Sequence, residues 1–359
     1  MTNFSKSRLV SLRQCPRRFW LELFRPDLKI DSPQTQQVFE TGHQVGHIAR
    51  QIFDPKGTGH LVDLNQLGFA QALSSSKQLL KGNEPIFEAG VTGGGVLAFA
   101  DVMLPGDRPC SWRMVEVKSS TSVKDYHYDD IAIQTFAARE AGYLIESVGL
   151  AHIDSSWTYP GNQDYQGLFK VNDLTSEAES RHEEVASWVQ QAQSLAKSPN
   201  EPTTSMGTQC STPFSCSFIT HCAKDIEQPE YPIHWLPRLS HKVREELAAS
   251  GISDLRDVPD NKLTATQLRI KQATVTGQTY MDAVGLANEL AQYPLPCLFL
   301  DFESVQFGIP IWAGTKPYQQ ICFQFSLHTL HANGQLDHQE FLDLSGDDPS
   351  LPFAQALLE

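Results

Sequence analysis

Asp101 stands in the apolar run "VLAFADVML", and fifteen residues later Glu116-Val117-Lys118 interrupts the apolar "WRMVEVKSS". Charged groups inside a strand raise its free energy unless they are paired or bind an ion. At the two-residue period of a strand, Glu116 and Lys118 share one face. Asp101, Glu116 and the backbone carbonyl of Val117 form an all-oxygen donor set suited to Mg²⁺ or Mn²⁺. Such an ion lowers the pKa of a bound water and stabilises charge on a scissile phosphate, and Lys118 would orient or help deprotonate that water. The alternative is ordinary surface pairing, since Glu-x-Lys recurs by chance in many chains. Glu88, on a preceding strand, either reaches the same ion or faces solvent.

The cysteines form a second chemical group. Cys210, Cys216 and Cys222 crowd into "CSTPFSCSFITHC", an incomplete tetrahedral set for which Cys15, in "CPRRFWLEL", is the natural fourth member. Seven cysteines, an odd number, fit a reducing compartment and a metal or cluster better than a disulfide framework. Zinc would accept the same four thiolates, and His221 widens its options. Cys110, Cys297 and Cys322 sit singly in or beside apolar strands and read as ordinary packing residues.

The elements that position these residues follow from pattern. Residues 5–24 read as helical, with Ser5 as cap and Pro16 dividing two pieces. Residues 38–53 give a second helix. "PIFEAGV" and "VLAFADVML" form a hairpin across Thr92-Gly93-Gly94-Gly95, and "WRMVEVKSS" supplies a third strand. "DDIAIQTFAAREAGY" returns to helical period, "IESVGLAHID" is a further strand, and an amphipathic helix near 176–196 leads to the cysteines. A punctuated linker, a mostly helical stretch from 239 to 292 and a new β pattern ("CLFLDFES", "QQICFQFSLHTL", "HQEFLDL") complete the chain. A length of 359 residues predicts two or three domains.

The succession of Asp101, Glu116-Val117-Lys118 and a helix bearing Gln134 resembles the PD-(D/E)XK nucleases, within them the RecB-like branch. That resemblance implies an α/β fold, a restriction-endonuclease-like mixed sheet flanked by helices. It also implies Asp101, Glu116, Lys118 and Gln134 as catalytic residues, and Asp101, Glu116 and Val117 as ligands of Mg²⁺ or Mn²⁺. The tyrosine usual four residues after the glutamine is Ala138 here. Relatives add a histidine from an upstream helix; of His43 and His47 in "TGHQVGH", His47 is taken as that ligand. The surroundings of Cys15 are similar to iron-sulfur members of the branch, including CRISPR-associated and AddB-type nucleases. The likeness implies a 4Fe-4S cluster on Cys15, Cys210, Cys216 and Cys222 that staples the two ends of the nuclease domain. The late trio is usually spaced C-x2-C-x5-C, and the first interval here is longer.

"LFLDFES", with Asp301 and Glu303 on one strand face, resembles the first acidic motif of DnaQ-like (RNase H-fold) exonucleases. The chain resembles an uncharacterised bacterial family that joins such a domain to a RecB-like nuclease, here truncated, so a second metal site would be incomplete. The expected division is 1–228 nuclease, 229–293 helical linker and 294–359 partial RNase H-like segment.

The formal charge of -14 excludes a surface coated with cations. Arg13, Arg17 and Arg18 beside Cys15 are the exception and are expected to track phosphates. Phe19 and Trp20 either stack on bases or, with Leu12, Leu23 and Phe24, form a core stripe. Global acidity favours a narrow channel, hence single-stranded DNA or DNA ends as partner. The absence of a long apolar segment predicts no membrane span and a cytoplasmic protein. The expected activity is metal-dependent DNA hydrolysis; the alternative is a non-catalytic DNA-binding or assembly module with a structural iron-sulfur or zinc site.

Overall fold

The first chemical motif lies on a hairpin that Gly94 and Gly95 close with positive φ angles of 59° and 85°, the backbone that a tight two-residue turn requires. In the computed structural model, which describes residues 2–31, 33–224 and 229–359 (residues 33–40 by backbone alone), the fold is a mixed α/β architecture. The chain starts with β1 (Phe4–Ser5), α1 (Lys6–Gln14) and α2 (Pro16–Phe24), followed by α3 (Pro33–Phe53), β2 (His60–Leu61), α4 (Leu64–Leu67) and α5 (Phe69–Leu79). The sheet proper is built by β3 (Ile86–Gly93), β4 (Val96–Pro105), β5 (Ser111–Lys118), β6 (Leu144–Ile153) and β7 (Phe169–Asp173), with α6 (Asp125–Glu140) crossing from β5 to β6. Its seven strands run in the order β2-β3-β4-β5-β6-β7, and β1 pairs with β4. β3-β4-β5 is an antiparallel meander, whereas β5 and β6 are parallel, as a helical crossover dictates.

α6 is buried along most of its length because it presses directly on the sheet. A side chain at Gly93 would meet the Ala137 carbonyl at 2.4 Å, and Ala132, Ala137 and Ala138 are almost wholly buried. This close approach explains Ala138: a tyrosine ring has no room where the helix meets the main core of Trp112, Met114, Ile133 and Val148. Over the same core lie α7 (Thr175–Ser180) and α8 (His182–Leu195). Phe19 and Trp20 are buried there too or beside it, at 0% and 9% exposure, so the core-stripe alternative holds for these two, whereas Phe24 of the same stripe is 45% exposed.

After α9 (Ile219–Ala223) the chain forms α10 (His241–Ala249), α11 (Ala265–Thr276) and α12 (Ala283–Leu290). Leu236, Leu239, Leu247, Leu255 and Val258 make a separate core. α11 starts with a Thr264/Gln267 capping box and ends at Gly277, whose φ is 67°. β8 (Cys297–Val305), β9 (Ile321–Leu330) and β10 (Leu336–Leu342) form a three-stranded sheet in the order β10-β9-β8, and α13 (Ser350–Leu358) closes the chain. Two compact units result: Met1–His221 with Phe302–Phe325 and Phe341–Glu359, and Cys222–Asp301 with Ser326–Glu340. They differ from the three consecutive segments expected, because Ile309 and Tyr318 pack with Val45, Ile153 and Leu168 of the first unit. Spacing along a sequence carries no trace of such a return. Among the described residues, no helix is long and apolar enough to cross a membrane.

Candidate active site

The ladder between β4 and β5 ends at Val102 opposite Val115. Beyond it the Asp101 side chain takes the place of a backbone partner, its Oδ2 accepting from the Val117 N–H at 2.7 Å. On the other side of β4, Phe87 pairs with Val102 and Ala89 with Ala100, leaving Glu88 facing Asp101 out of the ladder with a φ of 56°. A non-glycine residue held there within a strand stores strain of the kind that accumulates at functional sites. The strand irregularity, Gly46 and Arg50 of α3, and Lys118 enclose a cavity of about 170 Å³ into which Glu88, Asp101 and Glu116 all open.

Behind this cavity lies a buried ion network. Lys6 Nζ reaches Glu116 Oε1 at 2.8 Å and Asp130 Oδ1 at 3.1 Å, and Gln134 Oε1 at 3.4 Å. Lys118 Nζ donates to Glu116 Oε1 at 2.5 Å and also to Asp130. Burial opposes charge on both lysines, but the Asp130 and Glu116 carboxylates outweigh it and hold the two ammonium groups above their usual pKa. Asp101 is driven the other way: burial, then the Glu116 charge, push its carboxyl well above the usual range. Glu88 is raised by the same two causes in the same order. Burial acts to raise Asp130 as well, yet Lys6 and Lys118 prevail and hold it below the carboxylate range.

Two atoms of this network lack a partner. Apart from the Trp112 indole nitrogen, the buried side-chain atoms without a hydrogen bond among the described residues are Glu116 Oε2 and Gln134 Nε2. A buried carboxylate oxygen with nothing to accept from is expensive, and a cation is the natural partner for it beside two further carboxylates. The donors present thus fit a hard divalent ion. As they stand, with the lysines drawn onto Glu116 and Asp130, no three His, Cys, Asp or Glu side chains among the described residues are set around a common centre.

Asp101, Glu116, Val117 and Lys118 all line the one cavity, and Gln134 is fully buried against Lys6. His47 is not brought there. It is exposed, and its ring nitrogens lie 3.3 Å from Arg50 Nη2 and 3.2 Å from Gln51 Nε2 on its own helix. The cause is helical phase: α3 turns Gly42, Gly46, Ala49 and Arg50 toward the cavity, and His47 falls outside that stripe. His43 lies near enough to bear on the charge of Glu88. Lys6 and Asp130 were not anticipated. Lys6 comes from the chain's start; Asp130 precedes Gln134 by one helical turn, a spacing that places both on one face of α6 and could have revealed it.

The three arginines are engaged within the protein. Arg13 pairs with Asp129 at 3.1 Å and lies 4.1 Å over the Trp188 ring. Arg17 pairs with Glu201, and Arg18 with Glu22 at 2.9 Å. They build the scaffold around Cys15, whereas Arg8, exposed on α1, has no salt bridge among the described residues.

Cys15 is extended (φ -163°, ψ 122°) between α1 and α2, at the helix N-terminus that Pro16 starts. Burial raises the Cys216 thiol pKa, and Cys15 and Cys210 are near enough to bear on its charge, but among the described residues no three Cys or His side chains are set around a common centre there either. The Cys216 N–H closes the loop onto the Cys210 carbonyl at 2.8 Å, and Gln14 Nε2 clasps the Gln209 and Phe214 carbonyls at 2.7 and 2.6 Å. Cys222 lies on α9, whose first N–H donates to the Cys216 carbonyl at 3.2 Å. Asp301 and Glu303 are both exposed on β8.

Residues 298–359 match a family described as Domain of unknown function (DUF2779). No curated protein matches the chain. A solved structure titled "Crystal structure of SSO0001" is similar at 16% sequence identity and a TM-score of 0.31, over 62% of this chain and 86% of that one.

Proposed function

We propose that the protein is a metal-dependent deoxyribonuclease whose site is the cavity shared by Glu88, Asp101 and Glu116. The observation that carries this reading is the convergence of three carboxylates on one small cavity, with Glu116 Oε2 buried and unpartnered. Asp101, Glu116 and the Val117 carbonyl would hold Mg²⁺ or Mn²⁺, with Glu88 beside them. A bound ion there supplies an activated water and neutralises charge on the phosphodiester. Lys118, held as an ammonium by Glu116 and Asp130, would orient the water and balance negative charge on the phosphate. Gln134, fully buried behind the cavity, would act by positioning Lys6, whose ammonium its Oε1 meets at 3.4 Å. By the resemblance, Cys15, Cys210, Cys216 and Cys222 would be the ligands of a 4Fe-4S cluster, whose binding energy would serve as folding energy.

The test is cleavage of labelled single-stranded DNA by anaerobically purified protein with Mg²⁺ or Mn²⁺. Glu116→Ala and Lys118→Ala should each slow it by about 100-fold or more; two variants that cut as fast as the parent overturn the assignment. A second reading, a DNA-binding or assembly module without catalysis, is favoured by one feature. Lys6 and Lys118 already balance Glu116 and Asp130 without an ion. DNA binding by the parent with no cleavage under any divalent ion would select it.

A further inference from the structure

We infer that an unpaired DNA strand reaches the carboxylate site along the groove between α1–α2 and the 213–218 loop, stacking on Phe214 and Tyr126 with Arg8 on its phosphates. The inference rests on the nuclease reading for its destination and on the groove itself for its ligand. The groove encloses about 1080 Å³, and Lys118 forms part of its wall and of the wall of the carboxylate cavity. A strand lying in it therefore arrives at the network that holds Glu116.

Its charge is opposite to that of the chain. Five Lys or Arg and three Asp or Glu line the groove, a net of +2, in a protein of formal charge -14. Arg18 and Lys29 are paired with Glu22 and Asp31, and Lys6 and Lys118 serve the buried carboxylates. Arg8 is the lining cation left for an external anion among the described residues.

The groove also offers an aromatic surface. Phe214 is 42% exposed and meets the Tyr126 ring edge-on, centroids 4.7 Å apart. Gln14, itself buried, holds the Phe214 carbonyl, and the Ile30 N–H holds the Ser217 carbonyl at 3.0 Å, so the loop backbone that carries the ring is braced. A large apolar ring kept exposed on a braced loop above a cationic groove is a platform for a base face. Duplex DNA has its base faces covered by stacking, and the platform thereby selects unpaired strands.

The experiment measures binding by fluorescence anisotropy in EDTA, with no cleavage, using a labelled single strand of about 20 nucleotides, its duplex and the RNA of the same sequence. Phe214→Ala is expected to weaken single-strand binding about tenfold or more, with Phe214→Trp restoring it. Arg8→Ala should weaken binding and reduce the salt slope by about 1. The groove assignment is overturned if both alanine variants bind within twofold of the parent, or if the parent prefers duplex or RNA. Loss of cleavage chemistry with this binding pattern intact would sink the nuclease reading alone; unchanged binding in the alanine variants with intact cleavage would sink the groove alone.

Discussion

Lys6→Met tests whether the ion network is built around a cation site. The substitution keeps an unbranched side chain one heavy atom shorter and removes the ammonium that bridges Glu116 and Asp130 at 2.8 and 3.1 Å. Removing one partner of a buried ion pair typically destabilises by about 3–5 kcal/mol. Here Lys118 still contacts both carboxylates, and the Lys6 side chain retains 19% exposure, which lowers the expected loss to about 2–3 kcal/mol. For a unit of this size the melting temperature should fall by roughly 5–10 °C. A divalent ion delivers positive charge to the same carboxylates, and at about 100 times its dissociation constant it returns about 2.7 kcal/mol. Thermal unfolding in EDTA and in Mn²⁺ is the assay. Mn²⁺ should stabilise Lys6→Met more than the parent, in which Lys6 competes for Glu116 Oε1. An EDTA melting point equal to the parent's, or an equal Mn²⁺ gain in both proteins, would refute the reasoning.

Three further outcomes follow from the geometry. Glu88→Gly removes the strain at a φ of 56° and a buried carboxyl, so it should raise stability by about 1 kcal/mol while weakening Mn²⁺ binding in calorimetric titration. His127 is almost wholly buried; burial and then Lys118 lower its pKa to about 4, and its Nδ1 accepts from the Lys124 N–H at 3.0 Å. Because the folded pKa lies below the unfolded value, its contribution is complete above pH 6.5 and is lost as the pH falls toward 4, by at most about 3 kcal/mol; His127→Asn should flatten that part of the stability profile measured by urea titration. Cys15→Ser should abolish iron and sulfide content and the absorbance near 400 nm, an approximate wavelength for thiolate-bound iron, and a variant that keeps a full cluster would remove Cys15 from the ligand set.

The hairpin, the strand of Glu116 and Lys118, and α6 were legible in the sequence because period and glycine punctuation act locally. Gly94-Gly95 fixed the turn, and the alternation around Val117 fixed which face carries the charges. The destination of Lys6 was not legible. In "FSKSRLV" it looks like any exposed lysine, and only the parallel pairing of β1 with β4 brings α1 to a carboxylate 110 positions away. Glu88 stayed ambiguous because alternation assigns it to either face, and a positive φ breaks the alternation on which such an assignment depends. His47 failed through helical phase: it follows the cavity-facing Gly46 by one residue, about 100° around the helix, a rotation that "TGHQVGH" leaves undecided. Arg13 and Arg17 were expected on phosphates because their partners, Asp129 and Glu201, are far along the chain, whereas the Glu22 partner of Arg18, four residues on, was open to reading.

The central claim is that Asp101, Glu116 and the Val117 carbonyl hold one divalent ion, with Glu88 beside it. Crystals soaked in Mn²⁺ and measured at the manganese absorption edge test it directly. The account predicts a single anomalous peak in the cavity, about 2.1 Å from carboxylate oxygens of Asp101 and Glu116 and from the Val117 carbonyl, and its loss in Glu116→Ala. A cavity without a peak at saturating Mn²⁺, or a peak bound only elsewhere, would contradict it.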